Sequence, residues 1–393
     1  MKISKPQVIQ KNKQTTYQVD VKCPEGNRLL WYSLDESFSD LLSTSCDAPL
    51  VGLLIPAMAT GEDIYIDGTI SDRLLMNLSG PYQSLLRYIY PSLHQVNIYP
   101  KDVWSGETET TAGVATGFSG GIDSFCVLTD YFHPDISVRF KVTHLLFNNV
   151  GSHGDGGEKL FRERYERLLP AAETTGLPFL MINSNLDSFY SEGFDFQKTH
   201  TPRNTSVAFL LQGGISHFMY ASTYDYSNVF VGPTYDMAFS DTIALPLLST
   251  DNLCAFSVGS EYTRVEKTLR VADYPTSYEL LDVCVNPHND SGFANCANCW
   301  KCLRTLITLE IAGALDSYSA SFDLNTYKKR RKRFFLKLLG SRDVLLKEIV
   351  RFAKERNFSF PISTYLLHYS RIYSVGKILK KVLRGLRRTK RRI

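Results

Sequence analysis

Long apolar runs, a secretory leader and internal repeats are all missing from this sequence of 393 residues. Its longest apolar stretch, residues 48–59, is broken by Pro49, Gly52 and Pro56. It falls short of the roughly 18–20 residues that a membrane-spanning helix needs, so no span is expected. The first 13 residues are polar and basic, without the apolar segment of a signal peptide, which makes the cytoplasm the expected compartment. Charged residues make up 21% and hydrophobic residues 44%, a balance that excludes disorder, collagen and coiled coil as the main architecture. At roughly 100–200 residues per domain, the length predicts two or three domains.

Acidic residues are scarce in one place. Residues 328–393 hold 22 Lys and Arg against 3 Asp and Glu, whereas the rest of the chain holds 22 against 37. Such segregation marks either a segment that meets the phosphates of nucleic acid or lipid, or a plain solvated terminus. In residues 375–388, Ile378, Leu379, Val382, Leu383 and Leu386 recur at helical spacing among Lys and Arg, as in an amphipathic surface helix. The last twenty residues contain no aromatic side chain for base stacking. The tail therefore leans towards an anionic membrane surface or a partner protein over RNA, and a peripheral position at a membrane joins the cytoplasm as an expectation.

Three regions are expected. Residues 1–110 alternate polar and apolar positions in short runs, such as Tyr17-Gln18-Val19-Asp20-Val21, and predict an α+β module of several strands. Within it, residues 71–90 carry leucines at helical spacing interrupted by Gly80-Pro81, which predicts two short helices or a kinked one. Residues 105–111 read as a linker. Residues 111–318 alternate apolar strands with longer helical segments, the signature of a doubly wound parallel α/β sheet. Strands are expected at about 113–118, 142–147, 178–182 and 228–231, and helices at about 122–132, 158–175 and 207–223. Residues 319–393 read as helical and strongly basic, with an amphipathic helix over 334–357.

The strongest local pattern is Phe118-Ser119-Gly120-Gly121-Ile122-Asp123-Ser124-Phe125, where a strand gives way to a helix. Such a loop can aim backbone N–H groups, two hydroxyls and a helix N-terminus at one anion, and paired glycines let the main chain approach phosphate oxygens. The plain structural alternative is a turn in which Ser119 or Asp123 caps the helix.

Eight cysteines in a cytosolic-looking chain do not suggest a disulfide framework. Cys126 and Cys254 have apolar neighbours and are expected to be buried, inert thiols. Cys284, Cys296, Cys299 and Cys302 cluster, and their Cys-x-x-Cys-x-x-Cys run with one upstream partner suits tetrahedral Zn²⁺. An iron–sulfur cluster held by three cysteines, or four unliganded thiols, are the alternatives. Lys301 and Arg304 would offset the charge of a four-thiolate site.

The loop at 119–124 resembles the Ser-Gly-Gly-x-Asp-Ser signature of the PP-loop ATP pyrophosphatases, the adenine nucleotide alpha-hydrolase-like superfamily. It matches at every specified position and lacks the Gly-x-x-x-x-Gly-Lys-Ser/Thr spacing of the Walker loop. Pro202-Arg203-Asn204, Thr263-Arg264-Val265-Glu266 with Lys267, and the four clustered cysteines narrow the resemblance to the 7-cyano-7-deazaguanine synthase group, over about half the chain. The resemblance implies a PP-loop/HUP-like fold, ATP and Mg²⁺ as cofactors, and a structural Zn²⁺. It implies that Ser119, Gly120, Gly121, Ile122, Asp123 and Ser124 hold pyrophosphate, with Asp123 helping to place Mg²⁺. Asn148 and Asn204 join the nucleotide site, and Arg203 and Lys267 act on phosphates. On the residues alone, Arg203 and Asn204 read equally as a surface arginine and a helix cap, and Lys267 and Arg264 as a solvated basic face. Asn148, Asn149, His153 and Asp155 follow the second strand, at a sheet edge where such folds bind ligands.

The Tyr-Pro-Asp-Cys-type string of the synthase group is missing between the fourth strand and the cysteines. A different acceptor follows: a small molecule, a modified base or a peptide. The expected function is an ATP-dependent ligase, amidotransferase-like, that adenylates a carboxylate or carbonyl, releases pyrophosphate and adds nitrogen. The alternatives are RNA sulfur transfer and a non-catalytic nucleotide-binding scaffold.

Overall fold

Alternation decides the first third of the chain. The computed structural model describes residues 1–24, 26–106, 113–154, 157–286 and 291–366. Strands β1 (Lys2–Ile3), β2 (Gln7–Lys11), β3 (Gln14–Cys23) and β4 (Gly26–Asp35) lead into helix α1 (Asp47–Thr60). β5 (Ile64–Ser71), α2 (Asp72–Ser79), α3 (Pro81–Ile89) and β6 (Ile98–Trp104) follow. In β3, Thr15, Tyr17, Val19 and Val21 point inwards, the period of two expected of a half-buried strand. The break at Gly80-Pro81 separates α2 from α3, as the sequence predicts, because the fixed φ and missing N–H of proline suit the first helical position and favour a new start there.

The apolar stretch 48–59 is α1, buried from Asp47 to Met58. Pro56 cannot donate to the carbonyl of Gly52, and the Tyr190 hydroxyl donates to that oxygen instead at 2.8 Å. Asp47, fully buried, accepts from Ser71 N (3.0 Å), Ser71 Oγ (2.7 Å) and Gln212 Nε2 (2.7 Å), so a buried polar group is satisfied by donors from distant segments.

The next stretch alternates strand and helix: β7 (Gly113–Gly117), α4 (Ile122–Tyr131), β8 (His144–Asn149), α5 (Gly157–Glu173), β9 (Phe179–Ser184), α6 (Phe196–Leu210), β10 (Ile215–Ala221), α7 (Asp241–Leu247) and β11 (Cys254–Val258). Strands β7 to β11 are mutually parallel, in the order β11-β10-β7-β8-β9. The sheet continues through β4-β3-β1-β5-β6, with β2 also on β3. The join is antiparallel, Tyr32 opposite Ser184 and Ser33 opposite Asn183. The protein is thus α/β, with a largely parallel sheet of eleven strands among the described residues.

Several expected boundaries differ. The strands of residues 1–110 belong to the same sheet as β7–β11, and the compact units are Met1–Tyr262 and Thr263–Ile393, not divisions at 110 and 318. The helix expected at 207–223 is α6, which begins eleven residues earlier and stops at Leu210. After Gly213-Gly214 the β-branched and aromatic run 215–221 forms β10. Residues 228–231 are not a strand, and β11 pairs with β10 instead. The helix expected over 334–357 is two, α11 (Leu324–Gly340) and α12 (Val344–Glu355), because Asp343 caps α12 with bonds to Leu345 N and Leu346 N. The second unit also holds α8 (Arg264–Ala272), α9 (Ser277–Leu280) and α10 (Trp300–Ala312). The linker at 107–111 and the basic helix expected at 375–392 lie outside the described residues.

Candidate functional site

The strand order of the parallel block reverses at β7, which has β8 on one side and β10 on the other. In open α/β sheets ligands bind outside the carboxyl ends of the strands at such a reversal. The Ser119–Ser124 loop occupies that place. Phe118 N still bonds to Leu146 O of β8 at 2.8 Å, after which the chain leaves the sheet. Gly120 has φ +71°, a left-handed conformation that a side chain would disfavour. Gly121 is the N-cap of α4, and no side chain caps the helix. The cap position is thus taken by a glycine and by neither Ser119 nor Asp123. Ser119 is exposed, Asp123 sits in the first turn of α4, and Ser124 Oγ donates back to Gly121 O at 3.0 Å. With a glycine at the N-cap, the loop brings the N-terminal end of α4, where main-chain donors gather, to the sheet edge.

Asn148, near the carboxyl end of β8, donates to Asn204 Oδ1 at 3.2 Å, and Asn204 in turn donates to His200 O at 2.9 Å. Asn148 Oδ1 is buried without a hydrogen-bond partner among the described residues. The structure brings these two residues together, and Asn204 is mid-helix and caps nothing. Asp195 caps α6, accepting from Lys198 N.

Arg203 is not at a surface or a helix start. It is fully buried on α6, where its guanidinium pairs with Asp187, donates to Val150 O at 3.1 Å and Phe194 O at 3.0 Å, and lies 3.6 Å above the Tyr190 ring. Pro202 does not open the helix; it lies inside α6, and the Lys198 carbonyl it leaves without a partner accepts from the Tyr90 hydroxyl at 2.7 Å. Arg203 therefore fastens Asp187 and Phe194 to α6, its charge already met by Asp187. His153 is likewise buried, flanked by Phe147 and Phe161, and burial pushes its pKa down to about 4. It is neutral at physiological pH. Asp155 lies outside the described residues.

Sequence reading missed a buried polar cluster beside this edge. His200 Nδ1 meets the Tyr220 hydroxyl at 2.7 Å and its Nε2 meets Asp236 at 3.3 Å. Asp236 also accepts from Ala238 N (2.9 Å) and Tyr224 Oη (3.2 Å), and Thr201 Oγ1 donates to Asp241 at 2.6 Å. Burial pulls His200 down, but its hydrogen bond to Asp236 and the charges of Asp241 and Asp236 outweigh that and raise it. Burial raises Asp236, yet the same pairing leaves it below the usual carboxylate range. Asp241, without an equivalent partner, is pushed up by burial to about 6. These residues are spread over 200–241, and Asp236 and Asp241 supply the two carboxylates of the cluster.

In the second unit, the four clustered cysteines converge with all sulfurs within 4.8 Å of one another. Cys296 and Cys302 Sγ lie 3.9 Å apart and Cys299 and Cys302 Sγ 3.3 Å apart, near the separation that Zn–S bonds of about 2.3 Å give in a tetrahedron. Cys299 N donates to Cys296 Sγ at 3.2 Å and Asn286 N to Cys284 Sγ at 3.4 Å, so backbone amides face the sulfurs where thiolate charge would collect. Ala297 takes φ +49°, turning the chain between Cys296 and Cys299. Hydrogen bonds from Cys284 and Cys302 push the Cys299 thiol well down, and the Cys284 and Cys299 sulfurs push Cys302 up. The four cysteines fit a metal ion such as Zn²⁺.

Thr263 and Glu266 form a capping box at the start of α8: Glu266 N donates to Thr263 Oγ1 at 3.2 Å and Thr263 N to Glu266 Oε2 at 2.7 Å. Lys267 and Arg264 are buried in this unit and not a solvated face. Cys126 is buried as expected, but Cys254 is exposed, because β11 is the edge of the sheet. Among the described residues no helix is long and apolar enough to cross a membrane. Comparison with family models, curated proteins and solved structures finds no match.

Proposed function

We propose that the protein is an ATP-dependent ligase of the PP-loop kind, related to the 7-cyano-7-deazaguanine synthase group, with a different acceptor. One observation carries the reading: a Ser-Gly-Gly-x-Asp-Ser loop, with glycine at the helix N-cap and Ser119 exposed, follows the central strand of a parallel block where the strand order reverses. A carboxylate or carbonyl oxygen of the acceptor attacks the α-phosphorus of ATP, and the bond from that phosphorus to the bridging oxygen of the β-phosphate breaks. Pyrophosphate leaves into the loop. A nitrogen nucleophile then attacks the activated carbon, and the carbon–oxygen bond breaks with release of AMP.

The chain's contribution is position and charge. Main-chain amides of Gly120, Gly121 and Ile122 with the Ser119 hydroxyl take the pyrophosphate oxygens, and Asp123 holds Mg²⁺. Asn148 Oδ1, buried and without a partner, takes a donor group of the nucleoside. The cysteine site supplies rigidity through Zn²⁺. Four converging sulfurs favour this over sulfur transfer, which needs one thiolate free to carry a persulfide.

Titration calorimetry with ATP and Mg²⁺, alongside release of labelled pyrophosphate from γ-labelled ATP, tests the reading. Binding by the wild-type protein, lost at least tenfold in Ser119→Ala and in Gly120→Val, is expected. Unchanged ATP affinity in both variants sinks it, and release of phosphate in place of pyrophosphate replaces it with an ordinary hydrolase.

A further inference from the structure

Four residues of α11, Arg330, Arg333, Phe334 and Lys337, stand at spacings of three and four and so share one face of the helix. That face forms one wall of a cavity of about 480 Å³, whose other wall is the start of α10 with Trp300 and Leu303. The volume falls within the roughly 300–1,000 Å³ typical of ligand pockets. None of the residues lining it is acidic. Phe334 and Leu303 are recessed and buried, whereas Arg330, Arg333 and Lys337 are exposed around them. Trp300 retains 46% of its surface, although Arg304 lies 4.8 Å and Lys301 5.7 Å from its ring centre.

We propose that this cavity binds single-stranded nucleic acid, with one base stacked on Trp300 and the adjoining phosphates held by Arg330, Arg333 and Lys337. An exposed indole ringed by guanidinium and ammonium groups is the combination that sequence-tolerant single-strand sites use: stacking for the base, cations for the backbone. The concave shape argues against a lipid surface. A membrane-binding face projects its apolar side chains outwards, and here Phe334 and Leu303 lie at the floor. Trp300 immediately follows Cys299, so the cysteine turn fixes where the indole stands. Folding brings Trp300 of α10 beside the basic face of α11, some thirty residues further along the chain. The inference does not rest on the ATP reading, because the cavity is built within the second unit alone.

Fluorescence anisotropy of a labelled oligouridylate dodecamer, titrated with the full-length protein at several salt concentrations, tests it. Loss of one stacked base corresponds to about 1–3 kcal/mol, so Trp300→Ala is expected to raise Kd roughly 5- to 150-fold. Trp300→Phe retains most of the affinity, which separates stacking from folding. Arg330→Ala combined with Arg333→Ala weakens binding and lowers the steepness of log Kd against log salt by about 0.7 for each lost phosphate contact. Equal RNA affinity in wild type, Trp300→Ala and the double arginine variant overturns the proposal. So does full competition by uridine monophosphate at the same concentration, which assigns the cavity to a free nucleotide. Binding to phosphatidylserine vesicles that depends on Trp300, without RNA binding, overturns it in favour of lipid.

Discussion

Asp241 offers the sharpest test of the buried polar cluster. The residue is 1% exposed. Thr201 donates to its Oδ1 at 2.6 Å, while Oδ2 is buried without a hydrogen-bond partner among the described residues. Burial pushes its pKa up to about 6, with His200 and Thr201 acting in the opposite direction. An unfolded aspartate titrates near 3.9. Between those values the folded protein keeps a proton that the unfolded chain has lost, so stability is fully present below about pH 4 and falls as pH rises to about 6. Two pKa units amount to about 3 kcal/mol. Asp241→Asn keeps the group neutral and similar in shape, so it loses this penalty. Urea unfolding of wild type and variant at pH 4, 5, 6 and 7 provides the measurement. The variant is expected to match the wild type near pH 4 and to exceed it by up to about 3 kcal/mol above pH 6. Asp241 is one of the charges that raise His200, so Asp241→Asn also lowers the His200 pKa, and the difference between the two proteins reports the Asp241–His200 pair. A difference that stays constant from pH 4 to pH 7 refutes the titration of Asp241.

Tyr90→Phe leaves the Lys198 carbonyl without a partner beside Pro202 and should cost about 1–3 kcal/mol, read from the urea midpoint. An unchanged midpoint would show that water replaces the hydroxyl freely. For the cysteine site, metal analysis of purified protein should find one equivalent of colourless Zn²⁺, lost in Cys296→Ser and in Cys302→Ser. A chelator should lower the melting temperature of the wild type and leave those variants unaffected. A brown, iron-containing preparation would assign the site to an iron–sulfur cluster instead.

Much of the candidate site was legible because it is local. The Ser119–Ser124 loop, the Gly80-Pro81 break, the Thr263–Glu266 capping box and the Cys-x-x-Cys-x-x-Cys run are each decided by neighbours a few residues apart. Arg203 was misread because its environment comes from Asp187, Val150, Phe194 and Tyr190, none of them visible as a pattern around it. Pro202 lies inside α6, and the hydroxyl that meets the carbonyl it leaves free comes from Tyr90, distant in the chain.

The sequence by itself determined where the chain turns, caps and gathers sulfur, since turn chemistry and capping depend on dihedral angles and donors within one or two turns. Only the tertiary structure decided that residues 1–110 extend the same sheet through Tyr32 opposite Ser184, that the glycine loop stands where the strand order reverses, and that His200, Asp236 and Asp241 share one buried cluster. Strand pairing and burial are set by backbone bonds and packing between segments far apart in the chain. No local pattern encodes which strand will be the neighbour.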